Sequence, residues 1–158
     1  MKNTPPKPTP DQENFVYHHP ITVRYADLDP QKHVNNAAVV TYLESARMGY
    51  YQASTIWDGV SFGQFGMVVA NLHIDYLAPI RFGQALIVAL GVRHMGTKSM
   101  RFRFRVEEQS TGLVFARGEI IMVAYDPQNE RSIPIPEEWR TKITLFEERG
   151  TANDPAAS

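Results

Sequence analysis

Residues 99–107 alternate almost perfectly between apolar and polar side chains. Met100, Phe102, Phe104 and Val106 fall on one side, and Ser99, Arg101, Arg103, Arg105 and Glu107 on the other. Successive strand side chains point to opposite faces, so the pattern predicts a strand with one buried face. Three more segments carry such a face: Val68, Ala70, Leu72, Ile74 and Tyr76 in 67–77; Leu86, Val88, Leu90 and Val92 in 85–93; Ala116, Gly118, Met122 and Ala124 in 113–125. Gly83, Gly96 and Gly112 mark connections short enough for antiparallel hairpins. Earlier, residues 18–25 place Ile21, Val23 and Tyr25 on one side, which predicts a first strand. The opposite sheet face is mixed, with Ile87, Ala89, Ile121 and Val123 beside the arginines, a composition that suits water or a subunit interface.

Between the first strand and the rest, Val39, Val40, Leu43, Ala46 and Tyr50 recur at helical spacing, predicting a helix from Asn36 to about Gln52 with Asn35 as its N-cap. One long helix and one shared apolar sheet face define a two-layer α+β domain. Its antiparallel sheet of about five strands should wrap around that one central helix. After Pro134 and Pro136, residues 137–148 suit a short terminal helix.

A chain of 158 residues suits a single domain with a core that needs no disulfide or metal, and it contains no cysteine. That removes a thiolate nucleophile and a cysteine zinc site. The formal charge of -1 gives no global attraction to nucleic acid or to an anionic membrane. No apolar run approaches the ~20 residues that span a bilayer, and the first residues lack a signal-peptide core, so a cytoplasmic location is expected. Pro5, Pro6, Pro8 and Pro10 predict a disordered tail over 1–16; the domain should occupy 17–149, and 150–158 should be a flexible C-terminal tail.

The chemistry concentrates in Val23–Met48, VRYADLDPQKHVNNAAVVTYLESARM. Asp27 and Asp29 precede a polar turn, and His33-Val34-Asn35-Asn36 opens the helix. A carboxylate thereby sits beside a helix N-terminus, whose free amides can receive a developing negative charge. Asp29 is a candidate base or nucleophile for acyl transfer; read alone, Asp29-Pro30 equally suits an ordinary turn. The Asn36 amide is a candidate oxyanion donor. His33 can bond substrate or water, or only brace the loop. A metal held by Asp27, Asp29 and His33 is possible by residue type, but three ligands on one loop are thin support, and no metal is expected. Glu44 and Arg47, at i and i+3, can pair on the helix or shape a pocket. His73, between Asn71 and Asp75 on one side of a strand, reads as a satisfied polar edge. Arg93, Lys98 and Ser99 belong to a locally basic stretch that could meet phosphates.

This same stretch resembles the signature of the 4-hydroxybenzoyl-CoA thioesterase family of hotdog-fold proteins, and most of all its bacterial acyl-CoA thioester hydrolase branch. The resemblance covers roughly residues 18–126. It implies a hotdog fold, an acyl-CoA substrate with coenzyme A as part of it, no other cofactor, and a homodimer or homotetramer. It further implies Asp29, second acid of the Asp-x-Asp motif, as the catalytic carboxylate and Asp27 as a structural acceptor. The helix-end amide matches Asn36, and Glu44 and Arg47 match the Glu-x-Ala/Gly-Arg helix pattern. Acyl-ACP thioesterases have a similar Asp-x-x-x-His-Val-Asn-Asn run, which keeps His33 in view. On this reading Asn35, Val39, Val40, Leu43 and Glu44 border the acyl group, while Arg93, Lys98 and Ser99 reach the nucleotide. Lys32 departs from the usual small residue or glycine, and Val39 or Val40 from an aromatic, which leaves the acyl preference open. A silent acyl-CoA or acyl-ACP binding protein is the alternative, with a hotdog hydratase or dehydratase behind it.

Overall fold

The computed structural model describes residues 13–152. In chain order it contains β1 (Tyr17–Thr22), a 3-10 turn (Tyr25–Asp27), α1 (Asn36–Ala53), β2 (Met67–Tyr76), β3 (Ala85–Met95), β4 (Ser99–Glu108), β5 (Val114–Asp126), β6 (Arg131–Ser132) and α2 (Glu137–Ala152). The sheet runs β1-β3-β4-β5-β2 with every pair antiparallel, and the two-residue β6 adds to β5. It therefore has six strands where about five were expected, since β6 is too short for any periodicity to reveal; α2 is the terminal helix expected after Pro136, extended beyond residue 148.

The alternation in β3, β4 and β5 lies where the sequence predicts it. Leu86, Val88 and Leu90, Met100, Phe102, Phe104 and Val106, and Ala116, Ile120, Met122 and Ala124 are all buried. They form one core with Val39, Leu43, Ala46 and Tyr50 of α1. Gly118 is required in β5, because a Cβ there would stand 1.9 Å from the His73 carbonyl oxygen of β2.

Four local expectations change. The first strand stops at Thr22, and Tyr25 turns outward to 82% exposure, because Asp27 pulls the chain into a turn: its amide donates to Arg24 O at 3.0 Å and its carboxylate accepts from Arg24 N at 2.9 Å. In β2, a bulge between Val69 and Asn71 switches the alternation. Val69 opposes Met122 and Leu72 opposes Ile120 on the core side, whereas Val68 opposes Val123 on the other. Val68 and Ala70 thus do not share a face with Leu72.

The tail boundaries also move. Residues 13–16 are packed: Phe15 is buried beneath the guanidinium groups of Arg93 and Arg105, 4.7 and 5.1 Å from its centroid, and Glu13 accepts from Arg93 Nε at 2.9 Å. The remainder of the expected N-terminal tail, 1–12, lies outside the described residues. At the other end α2 continues through Gly150 to Ala152, inside the expected 150–158 tail, and 153–158 also lie outside the described residues. Ile143 of α2 is fully buried, and Glu147 Oε1 accepts both the Tyr50 hydroxyl at 2.5 Å and the Val92 amide at 2.6 Å. Burial raises the Glu147 carboxyl above its ordinary pKa. Among the described residues no helix is long and apolar enough to cross a membrane.

Candidate functional site

The loop that joins β1 to α1 is built by two aspartates in different ways. Asp27 is 4% exposed; its carboxylate accepts from Arg24 Nη2 at 2.7 Å and from the Tyr42 hydroxyl at 2.7 Å. The Arg24 hydrogen bonds, helped by Tyr42 and opposed by burial, hold its pKa at about 2. Desolvation and the facing carboxylate push the Tyr42 hydroxyl upward. The Asp27 backbone carbonyl accepts the Asn35 amide at 2.8 Å, so one residue holds both the entry of α1 and, through Tyr42, its second turn. Asp27 is the structural acceptor expected of it. With both of its oxygens engaged, it is poorly placed to share a cation with Asp29 and His33. Among the described residues no group of three or more His, Cys, Asp and Glu side chains could hold a metal ion.

Asp29 closes the following turn. Its Oδ1 accepts from the amides of Gln31 at 2.8 Å and His33 at 3.2 Å, while its own amide donates to His33 O at 2.8 Å. Lys32 occupies the left-handed region, φ 61°, within this turn. That geometry gives a physical reason for the small or glycine residue usual at this place, since a Cβ there costs about 1–2 kcal/mol. His33 forms an isolated bridge with Arg81, and Leu28 with Val34, which fastens the loop to the segment after β2.

Helix α1 begins as the sequence predicts. Asn35 Oδ1 accepts from Ala37 N at 2.8 Å, and the Asn35 carbonyl accepts from Ala38 N and Val39 N at 2.9 and 3.2 Å. Of the amides in the first turn, this leaves that of Asn36 without an acceptor among the described residues. Asp29, His33, Asn35, Asn36 and Val39 all line one cavity of about 450 Å³. Other contributors were not apparent from the sequence, among them Tyr76, Pro79, Ile80 and Phe115. Tyr76 donates to the Asn36 carbonyl at 3.3 Å. They come from β2, the segment after it and the start of β5, and only the β2–β5 register, set by the bulge, brings them here.

The remaining candidates lie elsewhere. Leu43 is fully buried beneath the helix and Val40 is 38% exposed on its flank; neither lines this cavity. Glu44 is exposed while Arg47 is buried, its charge felt by the Tyr51 hydroxyl, and among the described residues no ion pair joins Glu44 to Arg47. Arg93 is committed to Glu13, with Glu147 at 3.6 Å. Lys98 donates to Ser132 Oγ at 3.3 Å, and Ser99 O receives the Gly96 amide in the same hairpin. None of Arg93, Lys98 and Ser99 borders the Asp29 cavity. His73 Nε2 meets Asp75 Oδ1 at 3.1 Å on the exposed edge strand. A second cavity, about 550 Å³, opens at the far end of α1 beside Gln52, Trp57, Phe65 and Trp139; its Asp58 carboxylate is occupied in capping Val60 and Ser61.

A carboxylate and an open helix-terminal amide share one cleft in a helix-on-antiparallel-sheet domain, the architecture of a hotdog-type protein. Comparison with known proteins gives that class its family. Residues 23–143 match the model of the Thioesterase-like superfamily, and the chain belongs to that superfamily. The long-chain acyl-CoA thioesterase FadM of Escherichia coli is 27% identical over 123 residues, 78% of this chain and 93% of FadM. A thioesterase of Thermus thermophilus, solved with coenzyme A and Zn, superposes with a TM-score of 0.75 at 34% identity, covering 87% of this chain and 98% of its own. The 1,4-dihydroxy-2-naphthoyl-CoA thioesterase of Synechocystis, TM-score 0.72 at 19% identity over 81% of this chain and 95% of its own, shares the fold.

Proposed function

We propose that this protein hydrolyses acyl-CoA thioesters, as a member of the hotdog acyl-CoA thioester hydrolase branch. The observation that carries this reading is the cleft shared by Asp29 and the Asn36 amide, the one first-turn amide whose hydrogen is not taken by the Asn35 cap. A thioester carbonyl seated there would place its oxygen at that amide and at the positive end of α1, where a tetrahedral oxyanion is favoured; one such donor is typically worth about 3 kcal/mol in the transition state. Asp29 takes a proton from water as water attacks the carbonyl carbon, or attacks that carbon itself. The C–S bond then breaks and the sulfur of coenzyme A takes up a proton to leave as the thiol. In the water route the free acid forms in the same step; in the nucleophilic route a water then hydrolyses the acyl–Asp29 anhydride to release the acid and restore the carboxylate. The two amides on Asp29 Oδ1 fix the carboxylate, leaving Oδ2 for the reaction. Names of relatives support the substrate class: FadM acts on long-chain acyl-CoA, and the Thermus thermophilus thioesterase was solved with coenzyme A.

The working unit is a homo-oligomer, at minimum a dimer. β2 is an edge strand, and Val68, Val69, Tyr76 and Leu77 along and just beyond it are 40–48% exposed. Such an edge calls for a partner or a cover. Pairing through it would bring a second chain toward the cleft that Tyr76 borders.

Release of free thiol from a panel of acyl-CoAs tests the activity, and Asp29→Asn tests the mechanism. The amide keeps the turn but loses the base, so turnover should fall at least ~100-fold with an unchanged melting temperature. Wild-type rates in a folded Asp29→Asn protein would remove Asp29 from the mechanism. Binding of acyl-CoA without thiol release by the wild type would make the protein a carrier.

A further inference from the structure

Beside the loop that carries Asp29 two aromatic rings stand out in solvent. Tyr25 is 82% exposed and Phe82 60% exposed, and their centroids are 6.4 Å apart with the planes at 86°. Side chains of this size are usually covered, and an exposed cluster of them marks a surface that meets something. The pair is held in place from both sides. Tyr25 belongs to the 3-10 turn that Asp27 closes, four residues ahead of Asp29. Phe82 directly follows Arg81, whose backbone bridges His33 and whose amide donates to Gln84 Oε1 at 2.7 Å.

Perpendicular rings make an open corner. The edge of one covers a face of the other, and a third planar ring can enter by stacking on one face while meeting the neighbouring edge. Cations lie close by in the chain: Arg81 precedes Phe82, and Lys32 precedes the His33 that bridges Arg81. Arg24 is spent on Asp27, but the side chains of Arg81 and Lys32 are exposed and have no hydrogen bond or ion pair among the described residues. Asp27 does not oppose them, since it is buried and paired with Arg24.

A planar heteroaromatic ring joined to several phosphate charges complements both halves of this surface. Resting on the thioesterase reading above, we infer that Tyr25 and Phe82 receive the adenine of coenzyme A while Arg81 and Lys32 pair with its phosphates, the pantetheine arm running from there to the cleft at Asp29. Arg81 suits a phosphate because its planar fork can bond two oxygens at once. This assignment takes the place of Arg93, Lys98 and Ser99 as nucleotide contacts, since Arg93 is committed to Glu13 and Lys98 to Ser132.

The test compares one acyl group carried by coenzyme A and by pantetheine, which lacks the adenosine and its phosphates. Tyr25→Ala, Phe82→Ala and Arg81→Ala each should lower the ratio of kcat/KM for acyl-CoA to that for acyl-pantetheine, on the order of tenfold per lost stacking or phosphate contact, chiefly through KM. An unchanged ratio in all three variants would overturn the assignment. Titration of wild type and Arg81→Ala with 3′,5′-ADP reads the same subsite without catalysis, so it stands apart from the thioesterase reading. Saturable binding by wild type that weakens in the variant supports the subsite even if no thioester is cleaved; no binding, or equal binding by both, overturns it.

Discussion

The Tyr42 hydroxyl donates to Asp27 Oδ2 at 2.7 Å across a buried contact, tying the second turn of α1 to the turn that precedes Asp29. Because Asp27 also carries the Asn35 amide on its carbonyl, this one bond sets the distance between a carboxylate-bearing loop and an open helix end. Tyr42→Phe leaves the ring packing intact and removes only the hydroxyl. It should cost about 1.5–3 kcal/mol of stability, the usual worth of a hydrogen bond to a charged group. It should also lower kcat more than it raises KM, because the loop and helix end can then shift relative to each other. Denaturant midpoints and steady-state kinetics measure the two effects; an unchanged kcat would show that the bond serves stability alone.

Acid should find the same bond. Asp27 is held at about 2, below the ordinary carboxylate value of about 3.9, so its folded pKa is depressed. Its contribution is present above the ordinary value and is lost as pH falls from about 4 toward 2. Glu147 has the opposite sign: its pKa is raised, so its contribution is full below the ordinary carboxylate range and declines as pH rises through its folded value. In a series of urea melts, Asp27→Asn should be less stable than wild type at neutral pH and should lose the Asp27 part of the acid slope. Parallel curves for the two proteins would show that another group carries that slope.

Val39 is the helix residue in contact with both core and cleft, buried to 2% exposure and lining the cavity. Val39→Phe should reduce kcat/KM for long acyl-CoAs more than for short ones, since added bulk narrows the wall without touching the reacting carbonyl. A melting curve separates this from general overpacking. Equal losses across chain lengths would place the acyl group elsewhere.

A charge on the open edge should discriminate between a lone chain and an assembly. Val68→Lys, at 40% exposure on the outer side of β2, is tolerated by a monomer and repelled by a like strand laid alongside. Light scattering should show wild type at twice the chain mass or more, and Val68→Lys at lower mass with reduced thioesterase activity. A wild-type mass of one chain would end the dimer proposal.

Much of this was legible before any coordinates. The arginine-punctuated run of β4 names its own buried face, and Asn35 names the start of α1, because each is a local pattern with one physical solution. That Asp29 lies beside that helix end was legible from their closeness in sequence, while its catalytic assignment came from the family resemblance. What escaped has a common cause. The extra residue at Ala70 looks like any other strand residue, yet it reverses which side chains of β2 face the core. Tyr25 continues the alternation of β1 on paper, but Asp27 bends the chain two residues later. The pairing of Glu44 with Arg47 satisfied helical spacing, whereas the packing around Tyr51 takes Arg47 inward. Tyr76, Pro79 and Phe115 reach the cleft through strand register, which no short window of sequence contains.

The bulge that interrupts pairing between β3 and β4 falls just after Val92, and the Val92 amide spends its hydrogen on Glu147 of α2. That makes one backbone proton a reporter for a whole helix. While α2 is seated, the Val92 amide should exchange with solvent deuterium as slowly as the core strands around it. Any motion that lifts α2 uncovers this proton while the ladder amides on either side stay protected. The ratio of exchange at Val92 to exchange at Leu90 therefore counts how often the C-terminal helix leaves the sheet, without a label and without unfolding the domain.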